Sequence, residues 1–275
     1  MKQLLRALIV ACLAAAALIT IDLRITPVWT PVRAAVAQDT PTHGSCADSA
    51  APNCTGGGPV VMTVAHTTNA STLRALIVGF TLTGSASCVA PDTVTYAGVS
   101  LSAVETVSPA GSRWAGLWAL PAGTMPATGA NNVVASWSAI PCGGSASQLD
   151  MGVFSASGVD QTTNYSDTGT NSGTGTSATL TLTGVGANDP GFQMVCAGNG
   201  LTSTTETSQW SVDNTSFSCG SSGGATTANA DVSRSWTVPS DSWIMIGGNF
   251  KESSGGGGSP GCRMLLLLGV GGTCS

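Results

Sequence analysis

The chain has 275 residues, of which 42% are apolar and only 8% are charged, so the sequence predicts a buried core beneath a mostly neutral surface. A typical soluble domain carries about 25% charged residues, and here glycine, serine and threonine replace many of them. The formal net charge is −5, and no basic stripe follows the first 33 residues, which argues against a nucleic-acid partner.

The first 37 residues have the features of an export leader. Lys2 and Arg6 precede an apolar run, Ala7–Ile21, that is shorter than the ~20 residues of a membrane-spanning helix. The small-residue pattern Ala-Val-Ala ends at Ala37, so we predict a signal peptide over 1–37, with an uncleaved anchor as the alternative. We therefore expect a secreted or extracellular surface protein that meets a membrane only through this leader.

The cysteines predict disulfide bonds, because export leads to an oxidising compartment. Eight of the nine cysteines follow the leader, and eight cysteines allow 105 pairings, among which sequence alone does not choose. We expect neighbours along the chain to pair: Cys46–Cys54, Cys88–Cys142, Cys196–Cys219 and Cys262–Cys274. We expect no metal site, because there is no CxxC motif and neither His43 nor His66 has the spacing of a zinc ligand.

The remaining pattern predicts one β domain. Residues 38–58 are turn formers and predict a linker, whereas 59–252 predict about a dozen strands separated by turn residues. Leu73–Thr83 is typical of a buried strand, and Asp92–Val104 predicts a hairpin that turns at Ala97-Gly98. Because no helical period or fixed repeat follows the leader, the fold class is all-β: an antiparallel two-sheet sandwich, jelly-roll-like.

The C-terminal end departs from this pattern. Residues 253–261 predict a Gly/Ser-rich linker, and 262–275 predict a further apolar strand that echoes Leu73–Thr83. Such a strand either closes the domain's own sheet or pairs with the open edge of a neighbouring subunit, which would give self-association.

Several segments, in this order, resemble a family of exported bacterial and phage-associated β-sandwich modules of unassigned role. They are ALIVGFT at Ala75–Thr81, DTVTYAGVSLSAV at Asp92–Val104, GLWALPAGT at Gly116–Thr124 and MGVFSASGVDQTT at Met151–Thr163. The resemblance spans Pro59–Glu252. It implies a jelly-roll-like sandwich in a surface or adhesive setting and carries no catalytic motif, and the cysteines and the leucine-rich tail depart from the family pattern.

The loop GVDQTTNYSDTG, Gly158–Gly169, predicts either a structural tie or the rim of a binding site. Asp160, Asn164 and Asp167 offer oxygen ligands, but their spacing differs from that of an EF-hand. Short polar side chains in loops more often cap turns through their own backbone. We therefore expect no cofactor, with calcium as the alternative.

Two aromatic residues are candidate sugar platforms. Tyr165 lies in this loop, and Trp210 is flanked by polar residues, so both are predicted to be exposed. The alternative for Trp210 is that it plugs the end of the sandwich, as aromatic residues usually pack in cores.

No pattern of catalytic residues is evident. His43 and His66 lie in no nucleophile motif, and no pair of acids is brought together. We predict a non-enzymatic module that acts at the cell surface as an adhesive or glycan-binding protein. The alternative is a structural subunit of an extracellular fibre or coat, in which 262–275 pairs with a neighbouring subunit.

Overall fold

The computed structural model describes residues 36–253 apart from 48–53, 56–58, 71–72, 85–87, 110–111, 122, 140, 143–147, 199, 214–217 and 226–229. These residues belong to one compact unit of the chain. Most of the predicted leader, Cys262, Cys274 and the predicted strand 262–275 lie outside the described residues.

The described residues form strands and no helix, which confirms the all-β class. The described residues contain no helix that is long and apolar enough to cross a membrane. The strands are β1 Ala37–Gln38, β2 Thr42–Ala47, β3 Cys54–Thr55, β4 Val60–Thr68, β5 Arg74–Thr83, β6 Thr93–Tyr96, β7 Val99–Ser100, β8 Ser102–Val107, β9 Arg113–Ala119, β10 Gly129–Trp137, β11 Gln148–Ser157, β12 Tyr165–Val185, β13 Pro190–Ala197, β14 Ser203–Thr204, β15 Thr207–Asp213, β16 Ser218–Ala225 and β17 Ala230–Phe250.

The strands form three sheets, and every pairing among the described residues is antiparallel. The front sheet has the order β3-β4-β10-β6-β7. The central sheet has the order β1-β11-β5-β9-β8, with β2 also paired to β11. The back sheet has the order β12-β17-β13-β16-β15, with β14 also paired to β17.

The central sheet is buried on both faces. Every residue of β5 and β9 is buried, as is every residue of β11 except Ser157. Phe80 packs edge-on against Trp137 of the front sheet, and Phe154 stacks on Phe192 of the back sheet, with ring centroids 5.8 and 4.8 Å apart. Because successive residues of such a strand face two different cores, its sequence is apolar without alternation.

The predicted sandwich is confirmed as all-β and antiparallel, but it has one sheet more than the two expected. The reason is the doubly buried central sheet, since a continuous apolar strand needs a cover on each side. The observed strand order does not confirm the jelly-roll connectivity.

The predicted hairpin is confirmed at Ala97-Gly98, where both residues have positive φ, 49° and 82°. This is the two-residue turn whose twist matches that of the flanking strands, and it joins β6 to β7. Within the predicted linker 38–58, two described segments form strands: β2 pairs with β11, and β3 pairs with β4. These short polar strands pair with the edges of the central and front sheets. The local composition of the segment does not reveal such pairing.

Two predicted disulfides are confirmed, Cys88–Cys142 and Cys196–Cys219. The second pair joins directly opposed residues of β13 and β16. Cys46 is also disulfide-bonded, while the side chain of its predicted partner, Cys54, lies outside the described part of the structure. These bonds fit an oxidising compartment.

The paired strands β12 and β17 form a long ribbon that folds back on itself. Each strand has 21 residues. Within β12, the Asn171 side-chain amide donates to the Thr179 carbonyl at 2.6 Å, and the Thr183 N–H donates to Asp167 at 2.6 Å, so the two halves of the strand face each other. The bend falls at a register shift next to Gly175, whose φ is +120°. A third core cluster, which includes Leu180, Leu182, Val195, Trp236, Trp243 and Met245, fills the folded ribbon.

Arg234 ties the first half of β17 to its second half and to β13, and its side chain is fully buried. Nη1 donates to the carbonyls of Phe192 and Gly248 at 3.2 and 3.1 Å, and Nη2 donates to Asn249 Oδ1 at 2.8 Å. Nε lies 2.9 Å from Glu206 Oε1. This pairing compensates the desolvation of the guanidinium, which would otherwise be very costly in an apolar interior.

We expect Arg234→Ala to lower the free energy of unfolding by about 3–5 kcal/mol, because it removes the bonds of the buried guanidinium and leaves the partly buried Glu206 carboxylate without its partner. Urea denaturation of the variant, compared with the exposed Ser233→Ala as control, measures this loss. The double variant Arg234→Met/Glu206→Leu is expected to recover stability, since it removes both charges. An Arg234→Ala midpoint equal to that of the control would contradict the assignment.

Candidate functional site

A cavity of about 270 Å³ lies where the central and back sheets meet at one edge. We call it the edge cleft. Its walls are the edge strand β8, the end of β9 and the loop that leads into β12. The lining residues are Ser102, Ala103, Val104, Ala119, Leu120, Pro121, Thr162, Thr163, Asn164 and Tyr165. The cleft is therefore lined by hydroxyl groups, an amide, a phenol ring and small apolar side chains, and by no charged residue.

The loop 158–164 is held in place by the residues that follow β17. Val159 forms a bridge with Glu252, and the Asp160 N–H donates to the Lys251 carbonyl at 2.9 Å. In return, the Lys251 N–H donates to the Asn164 carbonyl at 3.1 Å. These bonds fix both ends of the loop, so its side chains hold a defined position at the cleft.

Asp160 acts as the cap of this loop. Its Oδ1 accepts the N–H groups of Thr162 and Thr163 at 2.7 and 3.1 Å, and its Oδ2 lies 3.4 Å from Lys251 Nζ. Partial burial alone would raise the pKa of Asp160, but these N–H bonds and Lys251 outweigh it and lower the pKa. Asp160 thus shapes the rim and does not line the cleft.

Asn164 and Tyr165, both predicted as binding residues, line the edge cleft. The buried side chain of Asn164 donates from Nδ2 to the Leu120 carbonyl at 2.9 Å, which ties the loop to the end of β9. Its Oδ1 accepts no hydrogen bond in the structure. Tyr165 is half-buried: part of its ring packs against the core between the central and back sheets.

The other two predicted binding residues lie elsewhere. Asp167 accepts the Thr168 N–H at one oxygen and the Thr183 N–H at the other, so it ties the folded ribbon. The prediction that Trp210 is exposed is wrong, because only 8% of its surface is accessible. Gly152 of the central sheet makes room for the indole, since a Cβ there would lie 2.7 Å from it.

The polar residues next to Trp210 in the sequence do not indicate the direction of its side chain. Side chains alternate along a strand, and the indole turns inward, where it stacks on His43 and on Phe154 with centroid distances of 4.9 and 5.6 Å. Trp210 is therefore buried in the core between the central and back sheets. The calcium alternative for Asp160, Asn164 and Asp167 stays a prediction.

Sequence reasoning missed one wall of the cleft. Ser102, Ala103 and Val104 belong to a strand that the sequence identifies only as the second half of a hairpin. Their contact with residues 162–165 depends on how two sheets stack, and local patterns do not report this stacking. The polar loop composition was the one available signal, and it indicated the opposite wall.

A second polar cluster lies at the seam of the front and central sheets. His66 Nε2 lies 2.8 Å from Ser155 Oγ, and His66 Nδ1 lies 2.9 Å from Thr42 Oγ1. Ser155 Oγ donates to Asp39 Oδ2 at 2.5 Å. Because the single hydroxyl proton of Ser155 goes to Asp39, Ser155 accepts from Nε2–H, and Nδ1 accepts the proton of Thr42.

This directional chain runs from Thr42 through His66 and Ser155 to Asp39. Burial lowers the pKa of His66 to about 4, although the Asp39 carboxylate opposes this shift. The imidazole is therefore neutral near pH 7. In serine hydrolases the histidine stands between serine and aspartate, whereas here the fully buried Ser155 stands between His66 and Asp39.

No protein-family model, curated protein or solved structure matches the chain. The resemblance to exported β-sandwich modules therefore stays a prediction.

We expect His66 to make folding less favourable as the pH falls from 6.5 to 4. The folded pKa lies below the unfolded value of 6.5, so the unfolded chain binds the proton first, and stability falls across this interval by about 3 kcal/mol. The measurement is the free energy of unfolding at several pH values for the wild type and for His66→Gln, which keeps the polar group and removes the titration. A difference between the two proteins that does not change with pH would contradict the assignment.

Proposed function

We propose that the protein is an exported, non-enzymatic β-sandwich module that binds a neutral sugar unit of a surface glycan in the edge cleft. The observation that carries the proposal is the lining of the cleft, which combines hydroxyl and amide groups with a tyrosine ring and no charge.

This lining suits the two-sided chemistry of a sugar. A pyranose presents apolar C–H faces, which pack on aromatic and small aliphatic surfaces, and hydroxyl groups around its edge. Tyr165, Val104 and Leu120 supply apolar surface, while Thr162 and Thr163 supply hydroxyl groups. A charged ligand would lack a counter-charge among the lining residues.

Asn164 holds one wall of the cleft in place, because its Nδ2 donates to the Leu120 carbonyl at 2.9 Å. The volume of about 270 Å³ is near the lower end of small-molecule sites, which favours one sugar unit over a longer segment.

The pinned loop also favours binding. Asp160 and Lys251 hold residues 158–164 in place before a ligand arrives. Pre-organisation of this kind reduces the entropy lost on association. Export is supported by the disulfide bonds, since such bonds are typical of oxidising compartments.

The test is a glycan array probed with the secreted full-length chain, followed by calorimetry with each sugar retained. We expect Thr162→Ala/Thr163→Ala, which removes two hydroxyl groups, and Tyr165→Ala, which removes the ring, each to weaken binding at least tenfold, which is about 1.4 kcal/mol. Both threonines are exposed, so the melting temperature of the threonine variant should change little.

The control is Thr67→Ala, an exposed threonine on β4 of the front sheet. It should leave affinity unchanged. An array on which the wild-type protein retains no sugar would contradict the proposal, as would equal losses of affinity in the cleft variants and in the control.

A further inference from the structure

Three potential metal ligands meet between the central and back sheets. Asp150 of β11 faces the disulfide of Cys196 and Cys219, and one carboxylate oxygen and the two sulfur atoms lie within 4.8 Å of one another. Asp150 Oδ2 is 3.9 Å from Cys196 Sγ. All three side chains are buried: Asp150 is 1% exposed, and each cysteine is 0% exposed.

The placement of Asp150 calls for an explanation. A carboxyl group in an apolar interface is costly unless strong partners compensate it. Its neighbours here are the Gln148 amide and a disulfide sulfur, and such a sulfur is a weak acceptor. Packing alone would be served better by an apolar residue at this position.

Gln148 and Thr81 contact Asp150 and Cys196 in the way that neighbouring residues contact metal ligands. Gln148 Nε2 donates to Asp150 Oδ1 at 3.3 Å, which leaves Oδ2 directed at the sulfur atoms. Thr81 Oγ1 lies 3.1 Å from Cys196 Sγ, and its hydroxyl is the donor because a disulfide sulfur carries no proton. Hydrogen bonds of this kind orient carboxylate and thiolate ligands in metal sites.

We propose that reduction of Cys196–Cys219 converts this cluster into a three-ligand site for a thiophilic divalent ion, Zn²⁺, with Asp150, Cys196 and Cys219 as the ligands. The disulfide form and the metal form are mutually exclusive, because each uses the same two sulfur atoms. Two thiolates and one carboxylate are a donor set for Zn²⁺ rather than for Ca²⁺ or Mg²⁺, which take oxygen ligands. Three protein ligands leave a fourth position for water or the Thr81 hydroxyl.

The conversion balances as two steps. A phosphine reductant takes up the oxygen of one water molecule, supplies two electrons to the disulfide and yields two thiols. Zn²⁺ then replaces the two thiol protons, and the proton of Asp150 where it is present, and these protons pass to the buffer. Binding is therefore coupled to proton release.

The test uses the full-length chain reduced anaerobically with a phosphine, then alkylated slowly with and without one equivalent of Zn²⁺. Peptide mass spectrometry reads the alkylation rate at each cysteine. We expect Zn²⁺ to slow alkylation of Cys196 and Cys219 at least tenfold. The Cys88–Cys142 pair is the internal control, because it belongs to no such three-ligand group among the described residues.

Asp150→Asn is the matched variant, since it keeps the shape of the side chain and both cysteines. We expect its Zn²⁺ affinity, measured by competition with a chromophoric chelator, to be at least tenfold weaker. Co²⁺ should give a thiolate charge-transfer band in the near-ultraviolet with the wild-type protein. Equal protection of all four cysteines, no protection at all, or equal affinity of the two proteins would each overturn the proposal.

Discussion

The structure depends on one constraint, the burial of the central sheet on both faces. Every residue of β5 and β9 is buried. Each apolar square ångström removed from water contributes about 25 cal/mol, and these strands are covered twice. The front sheet and the back sheet therefore stack on one common layer, and the folded ribbon of β12 and β17 adds a further core behind it.

The same constraint explains where the polar clusters lie. Ser155 and Asp150 are carried by β11, which has a sheet on either side, so their partners come from those sheets. His66 of the front sheet bonds Ser155, and Cys196 of the back sheet lies next to Asp150. A polar group in a doubly buried strand must find its partners within the protein. The edge cleft, by contrast, forms where the covering layers end.

The sequence predicted the features that depend on neighbouring residues. The turn at Ala97-Gly98 follows from Gly98, which adopts positive φ readily, and the burial of Leu73–Thr83 follows from its continuous apolar run. Asn164 and Tyr165 were identified from a polar loop and do line the cleft. The features that the sequence did not predict depend on contacts between residues far apart in the chain. The third sheet, the pairing of Thr42–Ala47 with β11 and the inward turn of Trp210 depend on partners far away in the sequence, and local patterns do not report such partners.

Hydrogen exchange, followed by mass spectrometry on the folded chain, tests the central claim most directly. Amides buried in a stable core exchange only through global unfolding, whereas edge strands open locally. We expect the slowest exchange in β5 and β9, Arg74–Thr83 and Arg113–Ala119, and much faster exchange in the edge strand β8, Ser102–Val107. Exchange in β5 as fast as in β8 would contradict a central sheet buried on both faces.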